Sequence, residues 1–359
     1  MLNAVDLFSG AGGLLTGLIK ANYNVLFSVE IDKAAVNTHH LNFPKIPIFD
    51  DDIRNLTFEK ILEFTEGKEV DLVVGGPPCQ GFSVFGKRRF INTKGYNPKE
   101  DDRNKLVYEY IRIVKELQPK YFFMENVKGF LSLDNGLFIK EVISAFNKIG
   151  YTNIDYNVFN TADYGVPQKR QRMLMIGNRM GEKVTFPAPS HFDHPTLFDE
   201  SYITVGQTIM DLVDKTEDDI PNHIPLKHKE IVAERMSYVK EGKKLVIEDL
   251  PEHLLNSTRP DSTTGKVQNY SHIYKRLHRN EPSNTLVPGH NAFPIHPTLN
   301  RTLTVREAAR IQTFPDSHVF CGTRQQQCIQ VGNAVPPLIA EKFFEHLALD
   351  IKKFQRVKI

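Results

Sequence analysis

One cysteine of this chain lies where a nucleophile would be expected. Cys79 ends the stretch Gly75-Gly76-Pro77-Pro78-Cys79. An apolar run at residues 70–74 precedes that stretch and predicts a buried strand. Open α/β sheets bind ligands at the carboxyl ends of their strands, and a thiol fixed there by prolines can attack as a thiolate. The pattern predicts a positioned nucleophile; the alternative is a small buried side chain.

An acid and two arginines accompany the cysteine on other predicted strands. Glu125 ends the apolar run at residues 121–124, where a carboxyl group either forms a structural pair or donates a proton with a raised pKa. In Gln168-Lys169-Arg170-Gln171-Arg172, strand alternation puts the first, third and fifth side chains on one face. Guanidinium groups bind carbonyl or phosphate oxygens through two donors. The arginines are therefore candidates for holding a polar substrate, and the alternative is a pair of surface arginines.

A glycine-rich turn separates the first predicted strand from the first helix. It reads Asp6-Leu7-Phe8-Ser9-Gly10-Ala11-Gly12-Gly13, and Glu30 follows 20 residues after Gly10. Dinucleotide-binding folds place an acid there to bind ribose hydroxyls. Position 15 is Leu, so the third glycine of G-x-G-x-x-G is missing. This favours a nucleoside without a pyrophosphate, whose adenine edge Asp52 and Ile53 could hold; the alternative is a purely structural turn.

The order of strand and helix signals predicts the scaffold for these residues. Strand signals lie at 4–8, 24–29, 70–74, 121–124 and 173–176, and helical signals at 14–19, 106–117 and 142–149. Their alternation predicts a parallel α/β sheet with helices on both faces. After about residue 179 the periodicity weakens. We predict a first domain at 1–185, completed by 326–359, and a smaller domain with a basic edge at 186–325.

Length and composition limit the class of protein. The 359 residues are 40% apolar and 25% charged, as in a globular protein with a large core. A net charge of +2 excludes a polycation, so nucleic acid would have to bind to local basic patches. Three cysteines are too few for a disulfide scaffold or a four-cysteine zinc site, and we expect no metal. The chain shows no membrane-spanning run and no signal region, so a cytoplasmic location is expected.

Six blocks of the sequence resemble the DNA (cytosine-5) methyltransferases, in residue type and in order. They are the turn at 6–13, Gly76-Pro77-Pro78-Cys79-Gln80, Glu125-Asn126-Val127, the motif at 168–172, the block at 306–315 and Gln330-Val331-Gly332-Asn333-Ala334-Val335-Pro336-Pro337. Together they cover nearly the whole chain, which resembles the prokaryotic restriction-modification type. The resemblance implies a Rossmann-like S-adenosylmethionine-dependent sheet and an irregular target-recognition domain at 186–325.

The resemblance also implies a reaction. A methyl group would pass from S-adenosylmethionine to C5 of a specific cytosine in double-stranded DNA, leaving S-adenosylhomocysteine. Cys79 would add to C6 of a flipped-out base, and Glu125 would hold or protonate N3 and the amino group. Arg172 would bind the base carbonyl, and Arg170 the nearby backbone. A polar segment at 83–103 would close as a lid over the DNA.

Further site residues follow from the same resemblance. Those implied for the cofactor are Phe8, Gly10, Gly12, Glu30, Ile31, Asp52, Ile53, Pro78, Leu106, Asn333 and Val335. Ile31 stands where family members often carry Trp, and this chain has no Trp. Those implied for DNA are Ser83, Lys87, Arg88, Arg89, Gln168, Lys275, Arg276 and Arg279.

Three other functions remain open at this point. One is an RNA cytosine methyltransferase of the same fold, which the large 186–325 region disfavours. Another is a DNA-binding protein that has lost activity, which the presence of Cys79 and Glu125 disfavours. The third is a nicotinamide oxidoreductase. The start of the chain at the first block fits a self-contained prokaryotic or phage enzyme. We expect a monomer, with a cognate restriction endonuclease acting on the same site without a stable complex.

Overall fold

The chain forms two compact units. A computed structural model describes residues 1–78, 105–255, 274–287 and 293–357. The larger unit comprises Met1–Tyr164, Arg170–Ser190 and Ala334–Ile359, and the smaller one Gly165–Lys169 and His191–Asn333. The sequence predicts boundaries after 185 and 325, whereas the structure divides the chain after 190 and 333. It also assigns 165–169 to the smaller unit.

The described strands are short and mostly apolar. They are β1 (Leu2–Leu7), β2 (Tyr23–Val29), β3 (Ile48–Phe49), β4 (Leu72–Gly75), β5 (Tyr121–Val127), β6 (Asn153–Asn160), β7 (Gln168–Lys169), β8 (Gln171–Asn178), β9 (His191–Phe192), β10 (Glu200–Ser201) and β11 (Ser283–Asn284). All but β7, β9, β10 and β11 belong to one seven-stranded sheet of the larger unit.

The described α-helices follow the strands closely in sequence. They are α1 (Gly13–Lys20), α2 (Lys33–Asn42), α3 (Phe58–Thr65), α4 (Leu106–Leu117), α5 (Leu137–Lys148), α6 (Val205–Ile209), α7 (Glu230–Ser237), α8 (Glu252–Leu255), α9 (Val305–Ile311), α10 (Arg324–Asn333) and α11 (Pro337–Val357). Short 3₁₀ segments lie at Ile53–Asn55, Lys128–Gly136, Thr161–Tyr164, Met210–Leu212 and Ile247–Asp249. Within the described ranges, no helix is long and apolar enough to cross a membrane.

The sheet of the larger unit is parallel at one side and antiparallel at the other. Its order is β3-β2-β1-β4-β5-β8-β6, and the first five strands are parallel. Strand β8 is antiparallel to both of its neighbours. The prediction that the strand near 173–176 continues a parallel sheet is therefore wrong. The sequence signal also missed β6, because its residues alternate without a buried face.

Helices cover both faces of this sheet, as predicted. Helices α3, α4 and α5 share one apolar cluster with strand residues, represented by Ile61, Ile113 and Phe146. On the other side, α1 packs so closely on α11 that a Cβ at Gly17 would lie 2.5 Å from the Ala340 side chain. Burial of both faces explains why the central strands are almost continuously apolar. Because β1, β2, β4 and β5 are parallel, their carboxyl ends lie at the same edge of the sheet.

Candidate active site

The predicted acid and the predicted arginine form an ion pair at the end of adjacent strands. Glu125 lies on β5 and Arg172 on β8, and the Nε of Arg172 is 2.8 Å from Oε1 of Glu125. The Glu125 residue is only 9% exposed. Arg172 also donates from Nη1 to the carbonyl of Gln171 at 2.8 Å. The geometry fixes a carboxyl group and a guanidinium side by side in a nearly dry setting.

Burial sets the proton affinity of this pair. It raises the pKa of Glu125 above the ordinary range, while the nearby Arg172 and Arg170 act in the opposite direction. Burial likewise lowers the pKa of Arg172, and Glu125 opposes that shift. A carboxyl group with a raised pKa is suited to hold or donate a proton to a neutral ring. The pair can therefore bind a group that carries both a donor and an acceptor.

The loop that leads to Cys79 packs directly against Glu125. The side-chain amide of Asn126 donates to the carbonyl of Pro77 at 3.0 Å. A Cβ built on Gly76 would lie 2.9 Å from Oε2 of Glu125, which is too close for an undisturbed contact. Pro78 is half-buried, and Cys79 itself lies outside the described residues. The Gly76-Pro77-Pro78 stretch is thus held beside the carboxyl group by a hydrogen bond and by close packing.

Arg170 lies deeper than Arg172. It is 1% exposed, and its Nη2 donates to the carbonyl of Ala334 at 3.1 Å. Burial lowers its pKa well below the ordinary value, with the Arg172 charge adding to the shift. The alternation predicted for this motif agrees with the burial, because residues 169 and 171 are exposed. The structure gives Arg170 a supporting position, since it holds protein backbone.

The glycine turn is tied to the acid of the second strand. Glu30 accepts from the backbone N–H of Gly10 at 2.7 Å through Oε2 and from that of Ile31 at 2.9 Å through Oε1. Burial raises the pKa of Glu30, and its backbone hydrogen bonds oppose the shift. Phe8, at the start of the turn, has φ of 59°, a left-handed conformation that few bulky residues adopt. The Glu30 carboxylate is therefore fixed to the strained turn by the hydrogen bond from Gly10.

The other predicted cofactor residues differ in which of their groups a ligand could contact. Ile31 is 60% exposed beside Glu30, whereas Ile53 is 3% exposed with its side chain in the core. Only the backbone of Ile53 is therefore available to a ligand. Asp52 accepts from Nε of Arg54 at 2.9 Å, and this bond lowers the pKa of Asp52. Leu106 is partly buried at the start of α4.

The C-terminal block reaches the turn through the backbone. A Cβ on Gly13 would lie 2.1 Å from the carbonyl oxygen of Val335, so only glycine permits this approach. Val335 is buried and belongs to the larger unit, whereas Asn333 is exposed and belongs to the smaller one. The structure thus brings Val335 into the packing of the larger unit around the turn.

The residues around the turn fit an adenosine-containing ligand. Among the described residues, no atom lies within 4 Å of the position that a Cβ on Gly10 would take. As far as the described residues go, the space above the turn is therefore open. The Glu30 carboxylate can accept from ribose hydroxyls with its remaining lone pairs, and the exposed Ile31 offers an apolar surface to a ring.

The structure uses two of the predicted DNA-contact residues for packing. Gln168 is fully buried; its amide donates to Oε1 of Gln312 at 3.1 Å and accepts from the N–H of Leu286 at 3.2 Å. Arg276 is 5% exposed and donates to backbone carbonyls, including those of Val239 and His296. Both side chains are held by protein groups in this structure. A role of either residue in DNA contact stays a prediction.

The remaining DNA-contact predictions divide into two groups. Arg279 is exposed and forms a two-pronged contact with Glu241, and Lys275 is half-buried. Ser83, Lys87, Arg88 and Arg89, together with the predicted lid at 83–103, lie outside the described residues. In the described part of the chain, no group of three or more acidic, His or Cys side chains could hold a metal ion.

Sequence reasoning gave no role to Tyr110, which joins two strands, or to Phe43, which packs against the glycine turn. The hydroxyl of Tyr110 lies 3.1 Å from the carbonyl of Val73 and 2.9 Å from that of Phe123, so it bridges β4 and β5. The ring of Phe43 lies against Gly12, whose Cβ would be 2.6 Å from it. Helical spacing marks Tyr110 as buried but does not reveal where its hydroxyl points.

Comparison with known proteins assigns the chain to a family. A family model described as C-5 cytosine-specific DNA methylase matches residues 2–348. The chain belongs to this family. Its activity is therefore that of a DNA (cytosine-5-)-methyltransferase, which transfers a methyl group to C5 of cytosine in DNA.

Relatives agree with this assignment. The type II methyltransferase M1.HphI of Haemophilus parahaemolyticus is 40% identical over 348 residues, covering 96% of this chain and 86% of the relative. M.XorII of Xanthomonas oryzae pv. oryzae is 37% identical, with coverages of 94% and 82%. These relatives are type II methyltransferases, the kind found in restriction-modification systems.

Solved structures share the fold. A protein described as a DNA modification methyltransferase encoded within an E. coli prophage superposes with a TM-score of 0.74 at 27% identity, over 98% of this chain and 100% of that one. The Dnmt2 methyltransferase of S. pombe has a TM-score of 0.58 at 17% identity, over 98% and 99% of the two chains, and shows the fold alone. The mixed α/β sheet with flanking helices is thus the fold of DNA methyltransferases.

Proposed function

We propose that this DNA methylase acts through a covalent bond between Cys79 and a cytosine flipped out of double-stranded DNA. The observation that carries the proposal is the buried Glu125–Arg172 pair, with the loop before Cys79 packed on its carboxyl group. A carboxyl group and a guanidinium in this arrangement complement the edge of cytosine, which offers N3, an amino group and a carbonyl. The base must leave the duplex to reach them, at a cost of a few kcal/mol.

Each residue has a separate part in this proposal. The Cys79 thiolate adds to C6, so the C5–C6 double bond opens and C5 becomes nucleophilic. Glu125 holds N3 and the amino group, which prevents charge from building up on the ring. Arg172 binds the carbonyl of the base while keeping Glu125 in place. Once C5 carries the methyl group, its proton is lost to solvent and the thiolate is expelled, which restores the double bond and regenerates the enzyme.

The methyl donor that fits this site is S-adenosylmethionine, which when bound supplies an activated methyl group on sulfur. Methyltransferases of this family generally use it. In this chain, Glu30 would hold the ribose hydroxyls and Ile31 would lie against the adenine. The rest of the cofactor pocket would be lined by Phe8 and by the backbone at Gly10, Gly12, Asp52 and Ile53. Pro78, Leu106, Asn333 and Val335 complete the proposed set, with S-adenosylhomocysteine as the product.

Several finer assignments belong to the same proposal. The smaller unit would read the target sequence, and Ser83, Lys87, Arg88 and Arg89 would contact the DNA. The type II relatives support a cognate endonuclease that acts on the same site without a stable complex, and the methylase itself would act as a monomer. Work on chromosomal DNA would place the enzyme in the cytoplasm.

A mechanism-based trap tests the covalent step. The full chain is incubated with S-adenosylmethionine and duplex DNA in which 5-fluorocytosine replaces cytosine, since fluorine at C5 blocks release of the enzyme. We expect a denaturant-resistant adduct with the wild type and with Cys321→Ser, which changes a half-buried cysteine elsewhere in the chain. Cys79→Ser should form none. Adduct formation by Cys79→Ser would overturn the assignment of the nucleophile.

Methyl transfer is measured in parallel with ordinary DNA. Incorporation of labelled methyl groups, followed by bisulfite sequencing, locates the modified cytosine, and transfer RNA serves as the competing substrate. Glu125→Gln keeps the shape of the side chain but holds its proton state fixed, so we expect kcat to fall by about 10²-fold or more. Preferential methylation of transfer RNA would contradict the proposed substrate.

A further inference from the structure

The residues proposed to contact the adenine ring follow the ends of two neighbouring strands. Strands β2 and β3 are parallel, with Val29 opposite Phe49, and the N–H of Glu30 donates to the carbonyl of Phe49 at 3.1 Å. Ile31 follows β2 closely, and Asp52 follows β3. Because parallel strands end at the same edge of a sheet, these two residues lie on the same side of the proposed cofactor pocket as Glu30.

The carboxylate of Asp52 is already bound by a neighbouring arginine. Its Oδ1 accepts from the backbone N–H of Arg54 at 3.0 Å and from Nε at 2.9 Å, and its Oδ2 accepts from Nη2 at 2.5 Å. The planar fork of a guanidinium matches a carboxylate in this way and compensates its charge. A purine amino group that approached Asp52 would therefore meet a neutralised carboxylate, to which it could form only a weaker hydrogen bond.

The local backbone favours this ion pair before any ligand binds. Asp52 caps the 3₁₀ turn Ile53–Asn55, since its side chain accepts from a backbone N–H of that turn. Asp51 is engaged separately, by the N–H of Asp52 at 2.7 Å and by the side-chain amide of Asn55 at 3.0 Å. Although the Arg54 side chain is exposed, the two-pronged geometry and the short separation in sequence favour its contact with Asp52. The cap thus holds the Asp52 carboxylate where the guanidinium reaches it.

The ribose side of the pocket carries a carboxylate of a different kind. Glu30 accepts from the backbone N–H groups of Gly10, Ile31 and Asp32 at 2.7, 2.9 and 2.8 Å. In the described part of the chain, no Lys, Arg or His pairs with this carboxylate, so its charge is not compensated there. Hydrogen bonds to a charged acceptor are about twice as strong as neutral ones. Glu30 can therefore bind ribose hydroxyls more strongly than Asp52 can bind a purine amino group.

Ile31 offers the ring a surface that does not distinguish its substituents. The side chain is 60% exposed beside Glu30. An aliphatic group contacts a flat ring through dispersion and apolar burial, which depend on contact area. An aromatic side chain would add a geometric preference through its quadrupole, but this chain contains no Trp. The contact at Ile31 therefore favours a purine ring without selecting the group at its position 6.

We propose that this pocket recognises its nucleoside by the ribose and tolerates the loss of the adenine amino group, because Arg54 neutralises the side chain that would read that group. The inference rests on the proposed function, in which the pocket binds S-adenosylmethionine. Arg54 is thus a specificity-determining residue, although it lowers selectivity. The class of ligand accepted besides the parent cofactor consists of its purine analogues without the 6-amino group.

Direct binding measurements test the role of Arg54. Calorimetry compares S-adenosylhomocysteine with its purine riboside analogue, in which hydrogen replaces the 6-amino group and every ring nitrogen is kept. We expect the wild-type chain to bind the analogue less than about threefold more weakly. Arg54→Met leaves the charge of Asp52 uncompensated, so the analogue should bind about 10-fold or more weakly than the parent. Asp52→Ala/Arg54→Met should return that ratio to below about threefold.

A matched variant controls for the loss of a surface charge. Lys68→Met removes an exposed cation that pairs with Glu66 elsewhere in the larger unit. We expect this variant to keep the wild-type ratio of the two affinities. If Lys68→Met raised the ratio as much as Arg54→Met does, a general charge effect would explain the result and the inference would be wrong.

Fluorescence tests whether the purine ring lies at Ile31. Because the chain has no Trp, Ile31→Trp supplies a single indole at the proposed contact. Saturating S-adenosylhomocysteine should change its emission, and the purine analogue should change it to a similar extent. Ile19→Trp places the indole at a partly exposed position of α1 and should show no change. An unchanged emission from Ile31→Trp under conditions of complete binding would contradict the proposed contact.

The outcomes separate this inference from the proposed function. If the wild type binds S-adenosylhomocysteine but discriminates against the analogue as strongly as Arg54→Met, the inference is wrong and the proposed function stands. If the affinities follow the expected pattern but Cys79 forms no adduct with 5-fluorocytosine, the covalent mechanism is wrong and the inference stands. If the wild type binds neither ligand, both the proposed cofactor and the inference are wrong.

Discussion

Replacing Gly76 by alanine should displace the carboxyl group of Glu125. The added Cβ would lie 2.9 Å from Oε2, about half an ångström inside ordinary contact. Glu125 cannot swing away freely, because it is 9% exposed and its other oxygen lies 2.8 Å from Arg172. The substitution does not strain the backbone, since Gly76 lies outside the left-handed region.

The size of the effect follows from these distances. Lengthening or breaking a charge-assisted hydrogen bond costs about 1.5–3 kcal/mol, and a misplacement near 1 Å at reacting groups can cost about 10²-fold in rate. We expect kcat of Gly76→Ala to fall by about 10- to 100-fold, with a much smaller change in the KM for S-adenosylmethionine. Labelled methyl transfer to duplex DNA gives both constants.

A double-mutant cycle decides whether the clash is the cause. Glu125→Asp shortens the acid by one methylene and makes room for the new Cβ. The alanine substitution should therefore cost less than about threefold in the Glu125→Asp background, because the two changes share one contact. Full additivity of the two effects on kcat, or a wild-type kcat for Gly76→Ala alone, would refute the reasoning.

Three further changes test the surroundings of the site. Asn126→Asp removes the donor to the Pro77 carbonyl and should lower kcat by about 3- to 10-fold, as should Asn126→Ala; equal activity of wild type and Asn126→Asp would contradict this. Tyr110→Phe should lower the free energy of unfolding by about 1–2 kcal/mol in urea titrations, and an unchanged value would show that the strand bridge is not stabilising. Burial lowers the pKa of His296 to about 4, despite Glu307 at 3.7 Å, so the unfolded chain takes up a proton first as the pH falls. Stability should therefore be lost between pH 6.5 and about 4, by up to about 3 kcal/mol, and His296→Asn should reduce that loss.

The sequence predicted the parts of the fold that depend on periodicity. Helix α4 is observed at Leu106–Leu117, where apolar spacing places it, and the alternation of Gln168, Arg170 and Arg172 agrees with their burial. These signals are local, because a buried face imposes its repeat on neighbouring residues. Strand β6 was missed although polar and apolar residues alternate from Asn153 to Val158, and in the structure none of its residues is fully buried.

The burial and the contacts of individual side chains were harder to predict from the sequence. Arg276 and Lys275 are adjacent basic residues that the sequence does not distinguish, yet Arg276 is buried against backbone carbonyls and Lys275 is half-buried. Gln168 likewise resembles a DNA contact but bonds to Gln312, 144 positions away. Such roles depend on pairings between distant segments, which composition and spacing do not encode.

If the smaller unit reads the target sequence, as proposed, its division between two segments of the chain affects how new specificities could arise by recombination. A gene exchange limited to 191–333 would import β11 but leave behind its partner β7, which pairs with it at Ser283 and Asn284. The transplanted segment would also lose the native partner of Gln312 if the recipient did not carry Gln168. Functional hybrids should therefore inherit residues 165–169 together with residues 191–333, so that both segments of the smaller unit come from the same parent.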